Sequence, residues 1–165
     1  MTEDLFKSPV SNFMSTSLCM VAVEDPVLKA IQCMRRKRIG AAIVMEKNKP
    51  VGIITDRDIL YRVVLKKLNP SEVKLEKVMS KPLVKVSPDT PVIDALKIMA
   101  KKGIRRVAVI KDSKPLGLVT IKAGLQLLEA YRKRAKPEGW LQEHIEEVTD
   151  EAMDRFQEIL RKITE

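Results

Sequence analysis

The residues best suited to chemistry lie in the stretch "GIITDRDIL", from Gly52 to Leu60. A β-rich apolar run ends there at Thr55, and Asp58 follows three residues later. This spacing predicts a hydroxyl and a carboxylate on one helix N-terminus, beside backbone N–H groups that have no helical partner. The pair can form a capping box with Asp in place of the usual Glu, or it can bind a polyhydroxylated or phosphorylated molecule. Taken alone, the stretch favours the cap, because caps are far commoner than ligand sites.

A second copy, "GLVTIKAGL", runs from Gly117 to Leu125, so the offset is 117 − 52 = 65 residues. Only two copies exist, which argues against a solenoid and predicts a pseudo-two-fold pair of units that pack on each other. The same offset, without a gap, relates Met14, Ser15, Leu18, Val21, Pro26, Val27, Ala30, Met34, Ile39, Val44, Lys49 and Pro50 to Met79, Ser80, Leu83, Val86, Pro91, Val92, Ala95, Met99, Ile104, Val109, Lys114 and Pro115.

Each unit shows the pattern of a strand, a helix, two strands and a second helix. Apolar residues at helical spacing follow Pro26 and Pro91, and these helices are expected to end near Arg38 and Gly103. The fold class is therefore α/β (α+β), as two β-α-β-β-α repeats. The other predicted segments are first strands at Leu18–Val23 and Pro82–Ser87, turns at Asn48 and Ser113, and last helices at Asp56–Lys67 and Ile121–Lys136.

The composition suits one compact module of 165 residues with 45% hydrophobic content. A unit of about 60 residues would be marginal alone, so the halves should share a core. The first ten residues are acidic and poor in apolar side chains, and no run reaches the length of a membrane span, so we expect a cytoplasmic protein without membrane partners. The expected divisions are an N-terminal segment 1–9, repeats 10–68 and 69–136, and a C-terminal extension 137–165.

The cysteines, Cys19 and Cys33, have neither metal-ligand spacing nor a partner cluster, and the single His144 is far away in sequence. They are expected to be buried thiols, and no metal site is predicted. No nucleophile with a base and no recognisable pair of carboxylates appears either, although Asp56 and Asp58 are close. We therefore expect no catalytic residues and a protein that is not an enzyme.

With these repeats, the chain resembles a tandem pair of cystathionine-β-synthase (CBS) domains, an arrangement called a Bateman module, from Val10 to Arg134. The most specific feature is a run of glycine, two apolar residues, Thr or Ser, two variable residues and Asp, which "GIITDRD" meets in full. The resemblance implies repeats packed through their sheets and an adenosine-containing ligand, AMP, ADP, ATP or S-adenosylmethionine, between them. In similar modules the Asp holds the ribose hydroxyls, which is sensible because a carboxylate accepts both donors of a diol.

Repeat two departs from the motif, because Ala123 stands in the place of the Asp. A second ribose site is therefore doubtful. In similar AMP-binding repeats, a basic pair at the start of the middle strand reaches the phosphate held by the other repeat. That pair would be Arg105 and Arg106, whereas repeat one has Gly40 and Ala41 there. The resemblance thus assigns ligand contacts to Thr55, Arg57, Asp58, Leu83, Val84, Ile104, Arg105, Arg106, Thr120 and Lys122. Among them, Leu83, Val84 and Ile104 would surround the adenine. The alternative for the two arginines is that they lie at a solvated strand end.

The C-terminal extension lies outside the resemblance. From Pro137 it carries nine acidic and three basic residues, so its net charge is 3 − 9 = −6. Because the whole chain has a net charge of +9, residues 1–136 carry +15. We expect an amphipathic acidic helix that packs on the module, on a dimer mate or on an effector protein. Modules of this family commonly dimerise, so a homodimer through the helices is expected. Its helically spaced apolar residues are Leu141, Ile145, Val148, Ala152, Phe156, Ile159 and Ile163.

Two function classes remain open. The first is a regulatory nucleotide sensor, in which the ligand is the only small molecule and no cofactor is required. The second is a nucleic-acid-binding protein that uses basic runs such as "RRKR" at Arg35–Arg38. We rank it second, because charge runs are usually solvated helix faces and 4% aromatic residues offer few stacking platforms.

Overall fold

The structure, a computed structural model, describes residues 6–127. These residues form two three-stranded sheets, each with a parallel and an antiparallel strand pair, in the orders β1-β2-β3 and β4-β5-β6. The strands are β1 (Met20–Ala22), β2 (Ala41–Glu46), β3 (Lys49–Thr55), β4 (Lys85–Val86), β5 (Arg106–Lys111) and β6 (Lys114–Thr120). The helices are α1 (Val27–Lys37), α2 (Asp56–Ile59), which continues as a π-helical segment over Leu60–Val64, and α3 (Val92–Lys102); residues 122–127 are also helical.

The equivalent helices α1 and α3 each begin after a proline, as expected. Each buries a stripe of small and apolar residues on its sheet, Val27, Ala30 and Met34 in α1 and the matching residues in α3. Arg38 and Gly103 end them in the left-handed conformation, with φ of 54° and 62°. The predicted helix ends are therefore confirmed.

Two-residue turns join β2 to β3 and β5 to β6. Lys47 and Asn48 have φ of 47° and 63°, and Asp112 and Ser113 have 49° and 63°. Positive φ at both central residues is the geometry whose twist matches that of the flanking strands. These hairpins bring the start of each middle strand beside the end of the last strand, where Thr55 and Thr120 lie.

The opening segments of the two repeats are exchanged. Val10 packs in the core of repeat two, and Leu75 packs in the core of repeat one. Equivalent hydrogen bonds hold them, because the Val10 N–H donates to the Thr90 carbonyl at 2.8 Å and the Leu75 N–H donates to the Asp25 carbonyl at 3.0 Å. Each core therefore requires chain from both repeats. The division into 10–68 and 69–136 stays a prediction about sequence units. Each hydrophobic core contains residues from both sides of this boundary.

The exchange explains the glycine in each last strand. A Cβ at Gly52 would lie 2.8 Å from the Ser80 carbonyl oxygen, and one at Gly117 would lie 2.8 Å from the Ser15 carbonyl oxygen. Real Cβ contacts are longer than this, so the opening segment of one repeat can pair with the last strand of the other only where a side chain is missing.

A smaller apolar cluster joins the two sheets. Ile43 of β2 and Ala108 of β5 are fully buried there, together with Leu18 and Leu118. The repeats thus pack through their sheets, as the resemblance implied.

Two expectations about the chain need correction. The cysteines are not free thiols: Cys19 and Cys33 form a disulfide with Cα atoms 5.9 Å apart. The sequence pattern does not predict this disulfide, because the bond joins the segment before β1 to α1, 14 residues away in sequence. The first strands are also shorter than Leu18–Val23 and Pro82–Ser87, since only Met20–Ala22 and Lys85–Val86 pair in register with the middle strands. The C-terminal extension and the end of the last helix lie outside the described residues.

Candidate functional site

The Thr55–Asp58 pair forms a capping box at the start of α2. The Asp58 N–H donates to the Thr55 hydroxyl at 3.2 Å, and that hydroxyl donates to Asp58 Oδ2 at 2.7 Å. The Thr55 N–H also donates to Oδ2, at 2.9 Å. The Thr55–Asp58 pair therefore caps the helix, and the cap holds Oδ2 of Asp58 at the helix N-terminus.

The other oxygen of Asp58 faces two further side chains. Arg62 Nη2 lies 3.1 Å from Oδ1, and the Ser80 hydroxyl donates to Oδ1 at 3.3 Å. A carboxylate offers about four acceptor positions, two on each oxygen. A diol that binds Asp58 must therefore take the place of a present donor at Oδ1, and the longer Ser80 contact is the easier one to replace.

Arg106 extends from repeat two into repeat one. Its Nη1 lies 3.6 Å from Asp56 Oδ1, and its side chain is 27% exposed. A Cβ at Gly40 would lie 2.8 Å from Arg106 Nη2 and 2.7 Å from Asp56 Oδ2. Gly40 thus provides the space for the guanidinium, which lies beside the carboxylate two residues before Asp58.

The three apolar residues assigned to the adenine lie along the same inter-repeat region. The Leu83 N–H donates to the Val51 carbonyl of repeat one at 3.1 Å, and the Leu83 side chain packs at the edge of the inter-sheet cluster. Val84 and Ile104 are half-buried against the core of repeat two. Among these three residues, Leu83 is therefore the residue whose backbone hydrogen bond links it to repeat one.

The remaining assigned residues are arranged less closely. Thr120 is half-buried and pairs in register with Arg106. Arg57 lies over the Tyr61 ring, 5.6 Å from its centroid, on the exposed side of α2. Arg105 and Lys122 are exposed. The structure thus places Arg106 beside Asp56, which lies between Thr55 and Asp58 in sequence. The ligand roles of all the assigned residues stay predictions.

The equivalent place in repeat two differs in chemistry. Ala123 is 2% exposed and packs in the hydrophobic core. An apolar side chain there leaves Thr120 without a capping carboxylate. The two inter-repeat regions are therefore unequal, as the sequence predicts.

Sequence reasoning missed three polar neighbours of the site: Asp56, Arg62 and Ser80. Arg62 follows Asp58 by four residues, a spacing that favours an ion pair along a helix and could have been noticed. Ser80 is 22 residues from Asp58, and only the exchanged opening segment brings it there.

Two further features of the described residues bear on function. Among residues 6–127, no group of three or more His, Cys, Asp or Glu side chains is placed to hold a metal ion. In the same range, no helix is long and apolar enough to cross a membrane.

Comparison with known proteins identifies the repeats. The family model of the CBS domain matches residues 10–65 and 75–129. An uncharacterised protein of Methanopyrus kandleri is 42% identical over 96 residues, which cover 57% of this chain and 49% of that protein. The chain spans half or less of the length of the first curated relatives that it matches.

Solved structures show the same fold. An uncharacterised conserved protein of Pyrococcus horikoshii has a TM-score of 0.66 and 27% identity, with 81% of this chain and 98% of that chain covered. A CBS domain pair solved in complex with 5′-methylthioadenosine and S-adenosyl-L-methionine has a TM-score of 0.65 at 23% identity, with coverage of 74% and 97%. Two family matches in tandem and a shared fold confirm the resemblance: the chain belongs to the CBS domain family and carries a tandem CBS pair.

Proposed function

We propose that this CBS pair is a non-catalytic regulatory module that binds one adenosine-containing ligand between its repeats. Asp58 accepts the ribose hydroxyls, and Arg106 binds the phosphate. AMP, ADP and ATP fit this pair of contacts, and S-adenosylmethionine is the alternative that lacks a phosphate. The CBS pair solved with two adenosine compounds supports this class of ligand.

The observation that carries the proposal is the position of Arg106. A guanidinium from repeat two lies against Asp56 of repeat one, over a glycine. Asp56 is 63% exposed on its side chain, so this pair contributes little to stability and can be exchanged for a ligand phosphate. A phosphate offers the guanidinium two acceptors at once, which a single 3.6 Å contact does not.

Binding can also change the shape of the chain. The Ser80 N–H donates to the Ile53 carbonyl at 2.8 Å, and its hydroxyl contacts Asp58. A diol that displaces this hydroxyl therefore acts on the segment that enters repeat two. We propose this segment as the route from ligand to readout.

We also propose that the module forms a homodimer through its helices. Leu60 is 58% exposed and Leu65 is 72% exposed, and Tyr61 and Val64 beside them are more than half exposed. Contiguous apolar patches of this kind on a helix commonly mark a protein interface.

Thermal unfolding tests the ligand proposal. Millimolar AMP, ADP, ATP and S-adenosylmethionine are added separately to the purified chain. A ligand at about a hundred times its dissociation constant should add about 2.7 kcal/mol to the free energy of unfolding. An unchanged midpoint with all four compounds would contradict the proposal.

A further inference from the structure

An open surface cavity of about 350 Å³ is lined in part by Arg62, which also contacts Asp58 of the capping box. It is formed between the π-helical segment after α2 and the segment that leads to repeat two. None of the residues assigned to the nucleotide lines it. Its lining residues are Arg62, Lys66, Leu68, Asn69, Glu72, Val73, Lys77 and Val78.

The polar groups of this cavity are mainly cationic. The lining cations are Arg62, Lys66 and Lys77, and Glu72 supplies the one lining carboxylate. That carboxylate already accepts a hydrogen bond from the Asn69 side-chain amide at 2.8 Å. Asp58 is outside the lining but pairs with Arg62, so two carboxylates accompany three cations. The cavity therefore keeps an excess of positive charge for a guest.

One of the cations is held in place from behind. Arg62 Nη1 donates to the Val78 carbonyl at 2.8 Å, while Nη2 contacts Asp58. A guanidinium has five N–H donors, so these two contacts leave further donors available. Because a held guanidinium loses less freedom when it binds an anion, Arg62 is a suitable anchor for a phosphate.

Apolar side chains form the rest of the wall, with Val78 4% exposed and Val73 half-buried. Cavities for small ligands typically start at about 300 Å³ and combine such apolar walls with a few convergent polar groups. We propose that this cavity binds a small phosphorylated molecule, its phosphate between Arg62, Lys66 and Lys77 and its remainder on Val73 and Val78. None of its lining residues is assigned to the nucleotide, although Arg62 also contacts Asp58.

Inorganic phosphate is the first probe. It is titrated at constant ionic strength into the chain labelled with ¹⁵N, and the amide signals of Val73 and Val78 are followed. The double variant Lys66→Gln/Lys77→Gln should weaken binding by about tenfold or more, because two charge-assisted contacts are lost. The control, Lys49→Gln/Lys97→Gln, removes the same charge at exposed positions outside the cavity and should bind as the wild type does.

A third variant separates this site from the nucleotide cleft. Arg106→Ala removes the proposed nucleotide contact but should leave the phosphate-dependent shifts at Val73 and Val78 unchanged. If Arg106→Ala abolishes these shifts, phosphate binds the cleft and not the cavity, and the inference is wrong. Equal losses in the two lysine variants would overturn it as well, since they would show attraction by net charge alone.

Discussion

Arg106 Nη1 and Asp56 Oδ1 lie 3.6 Å apart, although the two residues belong to different repeats. Gly40, directly before the middle strand of repeat one, has no side chain to prevent this approach. The matching residue in repeat two is Arg105, so the repeats differ at this position, and we propose that they supply opposite halves of one site.

Arg106→Ala should lower the affinity for AMP and ATP much more than the affinity for adenosine. Only the nucleotides carry a phosphate that a guanidinium can bind. Calorimetric titration with adenosine and with AMP gives, for each ligand, the ratio of the dissociation constants of variant and wild type. Arg36→Ala removes an exposed arginine that is not assigned to the ligand, and this control should leave both affinities unchanged. Equal losses for adenosine and AMP in Arg106→Ala would remove the phosphate role from this residue.

Asp58→Ala should lower affinity for adenosine and for AMP alike, since both contain the diol. Charge-assisted hydrogen bonds contribute roughly 1.5 to 3 kcal/mol each, so the loss should be about tenfold or more. Asp94→Ala removes an exposed carboxylate from the first turn of α3 and serves as the control. Normal adenosine binding by a folded Asp58→Ala chain would show that the diol lies elsewhere.

One nucleotide per chain should bind. The opposite combination, Ala123 with Gly40, offers neither a carboxylate nor a guanidinium, and Ala123 is buried in the core. The stoichiometry of the calorimetric titration measures this directly. Two sites of equal affinity would mean that the second cleft uses residues other than those of the motif.

The sequence predicted the features that depend on local pattern. Helix spacing after Pro26, the turn at Asn48 and the start of α2 at Thr55 all follow from neighbouring residues, and the structure has each of them. The repeat offset then predicted the same elements in the second unit. The replacement of the motif's Asp by Ala123 could likewise be read from the sequence, and the unequal clefts that it implies stay a prediction.

Features that depend on distant contacts could not be read in this way. The exchange of Val10 and Leu75 between cores leaves the hydrophobic pattern unchanged, because each residue is buried in either arrangement. Ser80 reaches Asp58 only through that exchange. The disulfide likewise depends on how α1 lies against β1, which 14 residues of sequence do not reveal.

Reduction of the Cys19–Cys33 disulfide should lower the thermal midpoint. A bond across a loop of this size restricts the unfolded chain by about 3 kcal/mol in the loop-entropy model. Unfolding is followed with and without a dithiol reductant, in the wild type and in Cys33→Ala, which replaces the half-buried partner. The reductant should act on the wild type alone; a wild-type midpoint that does not respond to it would contradict the prediction.

Stability should also depend on pH through Asp25. Burial raises the pKa of this carboxyl, but hydrogen bonds from Lys29 and the Ala22 N–H, together with the Lys29 charge, outweigh it and hold the pKa below its usual 3.8. Folding thus favours the ionised form. The stabilisation is present above the usual value and is lost as pH falls through the lowered pKa of the folded chain.

Asp25→Asn should therefore destabilise the chain near neutral pH, and this effect should be smaller at about pH 3, below the usual pKa of 3.8. Chemical denaturation at the two pH values gives the difference in free energy of unfolding between variant and wild type. Asp89→Asn, at an exposed position, controls for the general loss of one negative charge. Because the amide keeps the shape of the carboxyl but not its charge, a difference of equal size at both pH values would mean that Asp25 acts through geometry alone.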